Sequence, residues 1–203
     1  MLSKPNSFDR FIKLCFDMAF AASVLLLTWP VMLIAAAAIK STSEGDVFFR
    51  QVRVGRKGRI FEVCKFRTMH MVKESESTVT VRGDERITSL GRVLRRWKLD
   101  ELPQFWNVLK GEMSVVGPRP DVPGYADHLQ GDDRIILELR PGITGPATLK
   151  YRNEEEILAA QPDPERYNDE VIFPDKVRIN REYIRDYCFA GDMKYIIQTA
   201  LGR

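Results

Sequence analysis

RRWKLDELPQFWNVLKGEMSVVGPRP, residues 95–120, places two adjacent carboxylates, Asp100 and Glu101, behind three cations and ends on a Pro-Arg-Pro. Thr88 or Ser89 can cap a helix entering this stretch, with Leu90, Val93, Leu94 and Trp97 on neighbouring faces of LGRVLRRWKLDEL. Asp100 and Glu101 then fall in its C-terminal half. Adjacent helical residues point about 100° apart, so the two carboxylates take different roles unless the helix ends there. Arg95, Arg96 and Lys98 lie within a turn and would keep a carboxylate ionised. An ionised Asp among cations serves either as a surface ion-pair partner or as a metal-holding nucleophile towards phosphorus. Taken alone, an Asp-Glu pair in a helix reads as the former. Pro103 opens a second helix, QFWNVLKGE, that Gly111 ends; SVVG is a short buried strand or turn, and PRPDVP is extended. Gln104 and Asn107, polar in an apolar run, either line a site or cap the helix.

Working outward towards the N-terminus, Met18 to Ile39 is a run of 22 residues without a charge. It is long enough to cross a hydrocarbon core of about 30 Å as a helix, so membrane contact is expected. The run exceeds the usual core of a cleaved signal, and no early small-residue cleavage site sets it apart. Pro30 lacks an N–H and pushes Trp29 away from the α conformation, which predicts a kink at Trp29–Pro30. Lys4, Arg10 and Lys13 precede the run, and Lys40, Arg50, Arg53, Arg56, Lys57 and Arg59 follow it. Charge on both sides suits a segment that enters and returns, while the excess on the C-terminal side also suits a single spanning anchor. If the helix breaks at depth, Ser23 or Thr28 is the nearby hydroxyl able to satisfy a freed carbonyl. Beyond the run, VFFRQVRVGRKGRIFEVCKFRTM alternates apolar and charged residues around GRKG, as a short β-hairpin does. Residues 73–88 are polar without a period and read as a surface loop or lid.

Towards the C-terminus, residues 124–139 have a helical pattern, RPGITG reads as a loop, NEEEILAA starts a helix, Phe173 to Phe189 forms another, and a short amphipathic helix follows Gly191. That last pattern serves core packing or an interfacial helix. The 203 residues suit one domain with a sizeable core. Cys15, Cys64 and Cys188 are isolated, and with only His70 and His128 beside them a structural zinc or disulfide framework is not expected. The formal net charge of +3 hides a gradient: residues 1–59 carry nine Lys/Arg against four Asp/Glu, and residues 120–203 eleven against sixteen. A basic front can face the phosphates of lipid, nucleotide or nucleic acid, so charge does not choose among them. No internal repeat or low-complexity segment occurs.

Three blocks, KFRTM at 65–69, LDELPQ through GPRP at 99–120, and RPGITG at 140–145, keep an order and spacing that closely resemble the bacterial sugar transferase family, the monotopic phosphoglycosyl transferases. The resemblance runs from the hydrophobic segment almost to the C-terminus, and the middle block is long and distinctive. It implies transfer of a sugar-1-phosphate from a UDP-sugar to a polyprenol (undecaprenol) phosphate, with UMP released. This is the first membrane step of bacterial glycoconjugate and polysaccharide biosynthesis. It further implies Mg²⁺ and a ping-pong route through a covalent phosphosugar on Asp100, with Glu101 assisting and both carboxylates as metal ligands. Lys65, Arg67, Arg95 and Arg119 become candidate phosphate contacts, with Pro118 and Pro120 shaping the loop that carries Arg119. The residue chemistry agrees: an ionised carboxylate can attack phosphorus to give an acyl phosphate, and guanidinium groups bind phosphate bidentately.

The resemblance also implies an α+β, mainly helical fold. Residues 1–40 would form a re-entrant membrane helix-break-helix, and residues 41–203 a cytoplasmic catalytic domain with a small β-hairpin, on the inner membrane of a bacterium. The family usually places Ser-Pro at the break; here Trp29-Pro30 stands there, with Thr28 beside it. The chain resembles the small form of the family that holds only the catalytic unit. Expected partners are the UDP-sugar, the polyprenol phosphate and the membrane, with no nucleic acid. A homodimer is compatible with a membrane-surface enzyme, though nothing in the pattern requires one. No block reads as a sugar-discriminating pocket. A non-catalytic membrane-surface protein with a basic lipid- or nucleic-acid-binding face is the competing class, and it predicts that Asp100→Asn leaves function intact. A transferase that joins its two substrates directly would differ by showing no exchange of labelled UMP into the UDP-sugar without lipid.

Overall fold

The computed structural model describes residues 7–70 and 84–202, with the side chains of Ser7 and Phe8 left aside. Most of the segment expected to be a loop or lid, 73–88, therefore lies outside the described residues. Where the chain is described again, Met69 and Ile87 form an antiparallel bridge.

Helix α1, Ser7–Thr42, is 36 residues long and carries Pro30 inside it. The expected break at Trp29–Pro30 does not interrupt the helix, since both residues are helical. Proline costs the helix one N–H donor, here the one that would reach the Leu26 carbonyl, and the bonds on either side carry the helix onward. The nearby hydroxyls do not serve Leu26 either. Ser23 Oγ donates to the Ala19 carbonyl at 2.9 Å and Thr28 Oγ1 to the Val24 carbonyl at 2.7 Å, each four residues back. Such back-bonding tends to bend a helix without ending it.

The globular part holds α1 at two separate places. Lys13, Asp17 and Ala21, one stripe at a spacing of four, are buried near its start, and Ala35 and Ile39 repeat the spacing near its end. Ala21 joins a core with Val54, Val63, Val108, Val115 and Val116, whereas Ala35 and Ile39 pack with Phe66 and Leu94. Between the two grips, Leu26, Leu27, Trp29, Leu33 and Ile34 are exposed.

Strands β1, Phe48–Val54, and β2, Ile60–Phe66, pair antiparallel around a 3-10 turn at Arg56–Gly58, as GRKG predicts. Helix α2, Ser89–Arg96, is capped by Thr88, whose Oγ1 accepts the Gly91 N–H at 2.8 Å. It ends sooner than its sequence pattern predicts. Lys98 adopts the left-handed conformation at φ 55°, and Leu99–Glu101 then form a separate 3-10 turn. Helix α3, Gln104–Leu109, follows.

Strands β3, Ser114–Val116, and β4, Gly142–Thr144, pair in parallel, so part of RPGITG is strand and not loop. Glycine makes that pairing close: a Cβ on Gly142 would collide with the backbone of Gly117, and one on Gly117 with the Arg140 carbonyl. The helical pattern over 124–139 resolves into two 3-10 segments, Ala126–His128 and Gly131–Glu138. Short helices α4, Pro146–Lys150, α5, Glu154–Ala159, and α6, Pro164–Tyr167, lead through a π-turn into α7, Phe173–Arg185. The last helix, α8, Phe189–Leu201, starts before Gly191 and leans on β4 through Thr199, whose Oγ1 lies 2.6 Å from that of Thr144. The described chain is thus mainly helical with two small sheets.

Candidate active site

Three segments distant in sequence converge on the carboxylate pair. The 3-10 turn presents Asp100 and Glu101, β2 brings Lys65 near its end, and the loop after β3 brings Arg119. Lys65 Nζ lies 3.1 Å and Arg119 NH2 2.6 Å from the same oxygen of Glu101, Oε1. The cations that meet the dyad are therefore not the three adjacent to it in sequence. Arg95 donates to Thr68 Oγ1 at 3.2 Å and pairs with Glu155 at 3.1 Å, while Arg96 and Lys98 are exposed. Ending α2 at Arg96 sends those side chains elsewhere.

The two carboxylates differ as their positions predict. Asp100 is 7% exposed, and its Oδ1 is buried with no hydrogen-bond partner. Burial, then the neighbouring charge of Glu101, raises its pKa above the usual aspartate value, against the pull of Lys65, Arg95 and Lys98. Burial also works to raise Glu101, but Arg119 and Lys65 outweigh it and hold that carboxyl well below its ordinary range. Burial lowers Lys65 despite Glu101, and Glu101 raises Arg119. Glu101 is thus a fixed anion with two cations attached, and Asp100 a buried carboxyl with an oxygen to spare.

The Pro-Arg-Pro loop is held by more than its rings. The Pro118 carbonyl accepts the Gly142 N–H at 2.8 Å, the Pro120 carbonyl accepts Arg53 NH1 at 2.9 Å, and the Asp121 carbonyl accepts the Val54 N–H at 2.9 Å. Arg119 sits between two anchored residues and remains about one-third open to solvent on its side chain, 36%.

Arg67 is not brought to the dyad. Its guanidinium is buried and ties the end of α1 to β2, donating to the carbonyls of Ser43 and Glu44 and to Ser43 Oγ. Asn107 neither caps a helix nor lines the site. Its Oδ1 accepts the Cys64 N–H, and its Nδ2 donates to the Glu62 carbonyl and to Glu112, which fastens α3 to β2. Gln104 is buried too, and its Nε2 has no partner. Trp29 and Pro30 lie on α1 away from these residues, Trp29 being 55% exposed.

Residues that the motifs do not single out also reach this region. Arg53 stands against Pro120. Asp121 and Glu154 lie close enough to bear on Arg119, and Lys176 pairs with Glu154 at 2.7 Å. The alternation of β1 carries the signal for Arg53, which shares a face with Gln51 and, across the pair, with Lys65.

A divalent cation suits this donor set. Among the described residues no group of three or more His, Cys, Asp or Glu gathers to cage a metal. The unpartnered Asp100 Oδ1 beside Glu101 offers the one or two carboxylates with which Mg²⁺ is usually held, the remaining ligands coming from water and substrate phosphate.

The arrangement sets a buried carboxyl with an open oxygen beside a fixed anion that holds two cations. The bacterial sugar transferase family model matches residues 8–202, and the chain belongs to that family. It is 38% identical over 197 residues to the UDP-glucose:undecaprenyl-phosphate glucose-1-phosphate transferase of Escherichia coli K12, an alignment covering 94% of this chain and 40% of that protein. It is 40% identical over 199 residues to the UDP-N-acetylgalactosamine-undecaprenyl-phosphate N-acetylgalactosaminephosphotransferase of Aeromonas hydrophila, covering 96% of this chain and 44% of that one. With the exopolysaccharide production protein ExoY of Rhizobium meliloti it shares 31% identity over 203 residues, 92% of this chain and 83% of the relative. The chain thus spans about two-fifths of the length of several relatives it matches.

Proposed function

We propose that this chain transfers a sugar-1-phosphate from a UDP-sugar to undecaprenol phosphate at the cytoplasmic face of a bacterial inner membrane, releasing UMP and opening a glycoconjugate pathway. The observation that carries the reading is the asymmetry of the dyad: Asp100 is buried with an unpartnered oxygen, next to a Glu101 already neutralised by Lys65 and Arg119. The names of the relatives, which act on UDP-glucose or UDP-N-acetylgalactosamine and undecaprenyl phosphate, supply the substrate class.

In the first step the ionised Asp100 carboxylate attacks the phosphorus that bears the sugar. An O–P bond forms to Asp100 and the bridging P–O bond breaks, its electron pair leaving with UMP. In the second step an oxygen of the lipid phosphate attacks the same phosphorus, the bond to Asp100 breaks, and the carboxylate is restored as polyprenyl-diphosphate-sugar departs. Splitting one displacement into two lets the water-soluble donor and the lipid acceptor visit in turn. Glu101 holds Lys65 and Arg119 in place, and Arg119 bears on the oxygens that gain charge as the bridge breaks. Asp100 and Glu101 would hold Mg²⁺, which would supply positive charge against the diphosphate.

The membrane helix supports the same reading. Its start and its end are both buried against the globular part, with the exposed apolar stretch from Leu26 to Ile34 between them. A helix that crossed the bilayer would carry one grip to the far side, whereas a segment that does not cross leaves both grips on one side. With both grips on one side, a site for a lipid phosphate and a soluble nucleotide would lie at the boundary.

The test is UMP release from a panel of UDP-sugars that includes UDP-glucose and UDP-N-acetylgalactosamine, with undecaprenol phosphate and Mg²⁺, for wild type and Asp100→Asn. Release by wild type alone is expected, together with exchange of labelled UMP into UDP-sugar without lipid. Turnover with no such exchange would remove the covalent step, and silence from every donor would remove the reaction.

A further inference from the structure

One more guanidinium stands at the edge of the dyad. In the hairpin register Lys65 faces Phe49, Val63 faces Gln51 and Phe61 faces Arg53, so Lys65, Gln51 and Arg53 share one side of the sheet. Lys65 is where that side meets Glu101. Arg53 lies further along it, at the Pro-Arg-Pro loop. Its NH1 donates to the Pro120 carbonyl at 2.9 Å, and its Nε and NH2 both donate to Gln51 Oε1, at 3.1 and 2.5 Å.

These bonds use three of the five N–H groups of a guanidinium and fix its plane, leaving one on each terminal nitrogen. Its charged surroundings are Arg119, Asp121 and Glu101. Glu101 is already shared by Lys65 and Arg119, so two guanidinium groups from different segments are held near one another with Asp121 as the other carboxylate beside them. Arg67 also makes three such bonds, to Ser43 and Glu44, but it is 5% exposed and its unpartnered Nε is sealed inside the fold, whereas Arg53 is half-buried at the rim of the dyad. Arg53 is instead aimed by Gln51 and Pro120 with donors to spare, an arrangement suited to forked binding of phosphate oxygens.

We propose that Arg53 is a second phosphate-binding guanidinium of this site, gripping with Arg119 the oxygens of a phosphate or diphosphate group. The inference rests on the transferase reading for the ligand's identity. Its two sources are the diphosphate of the nucleotide sugar and the phosphate of the lipid acceptor.

The experiment compares wild type, Arg53→Ala and Arg53→Lys as full chains in nanodiscs with Mg²⁺. It reads calorimetric binding of UDP and inorganic pyrophosphate, the KM for donor and for acceptor, and the melting temperature. Arg53→Ala is expected to weaken binding or raise a KM by about tenfold or more, with Arg53→Lys recovering part of the loss at an unchanged melting temperature. A rise confined to the donor names the nucleotide diphosphate, and one confined to the acceptor names the lipid phosphate. Unchanged binding and unchanged KM for both substrates in Arg53→Ala would overturn the proposal. So would losses that follow a lowered melting temperature and that Arg53→Lys does not recover. If wild type binds pyrophosphate and Arg53→Ala does not, yet no donor yields UMP, the phosphate site stands and the transferase reading falls.

Discussion

Two buried carboxylate clusters in this chain are built in opposite ways. Asp192 at the start of α8 has both oxygens in use: Oδ2 accepts Lys13 Nζ at 2.6 Å and Oδ1 accepts the Tyr183 hydroxyl at 2.6 Å. Around the dyad, two cations crowd one oxygen of Glu101 while Asp100 keeps a buried oxygen without a partner. The first cluster is closed and joins α1 to α7 and α8. The second leaves an oxygen unsatisfied, which costs folding energy and leaves an atom available for chemistry. An orphaned oxygen alone does not define such a place. Asp17 leaves Oδ2 unpartnered as well, yet its other oxygen takes the Val115 N–H from β3. What distinguishes Asp100 is the combination of a free oxygen with cations brought from β2 and from the Pro-Arg-Pro loop.

The largest effect expected from breaking the contrast is at Asp100. Asp100→Asn keeps the shape and removes the nucleophile, so turnover should fall by at least about 10⁴-fold, about 5.5 kcal/mol of barrier. Stability should hold or rise, because burial already disfavours the charged form of Asp100. UMP release together with a melting curve checks both, and a variant that keeps its turnover would mean the open oxygen is not the reacting one. The closed cluster should answer in reverse. Lys13→Ala strands Asp192 with only Tyr183, and loss of one partner from a buried pair costs about 3–5 kcal/mol. Denaturant unfolding should show that loss, while the folded fraction retains its turnover at low temperature.

Much of the contrast was legible in sequence, though only the open half carried a motif. The uncharged run from Met18 to Ile39, the alternating hairpin and the Thr88 cap can each be read locally, and each is present in the structure. The end of α2 was not legible, because LGRVLRRWKLDEL keeps a helical spacing past the point where Lys98 turns left-handed. That single residue decides which cations touch the carboxylates: Arg95 and Lys98 bear on Asp100 by charge alone and Arg96 is exposed, whereas Lys65 and Arg119 pair with Glu101 directly. SVVG, read as a short buried strand or turn, is β3, but its parallel partner β4 escaped because a three-residue strand is too short to show a period. Arg67, by contrast, resembles a phosphate ligand in sequence but turns its terminal nitrogens to the Ser43 and Glu44 carbonyls and the Ser43 hydroxyl, a choice that only the position of those two residues reveals.

The smallest expected effect sits between the two clusters in character. Asp121, next to the Pro-Arg-Pro loop, is pushed up to about 6 by burial, which outweighs the cations Lys176 and Arg53. A carboxyl raised in the folded state favours folding below its unfolded value of about 3.9, and that contribution is lost as pH rises through about 6. At neutral pH the ionised group should therefore cost up to about 3 kcal/mol relative to acid conditions. Asp121→Asn should remove the dependence, with the melting temperatures of variant and wild type converging near pH 4 and the variant more stable at pH 7. Equal pH profiles would mean that Arg53 and Lys176 already compensate Asp121, making this carboxylate a closed one like Asp192. A separation that widens when UDP is added would tie Asp121 to the open site, because a bound diphosphate competes with it for Arg53 and Arg119 and leaves the ionised carboxylate less compensated.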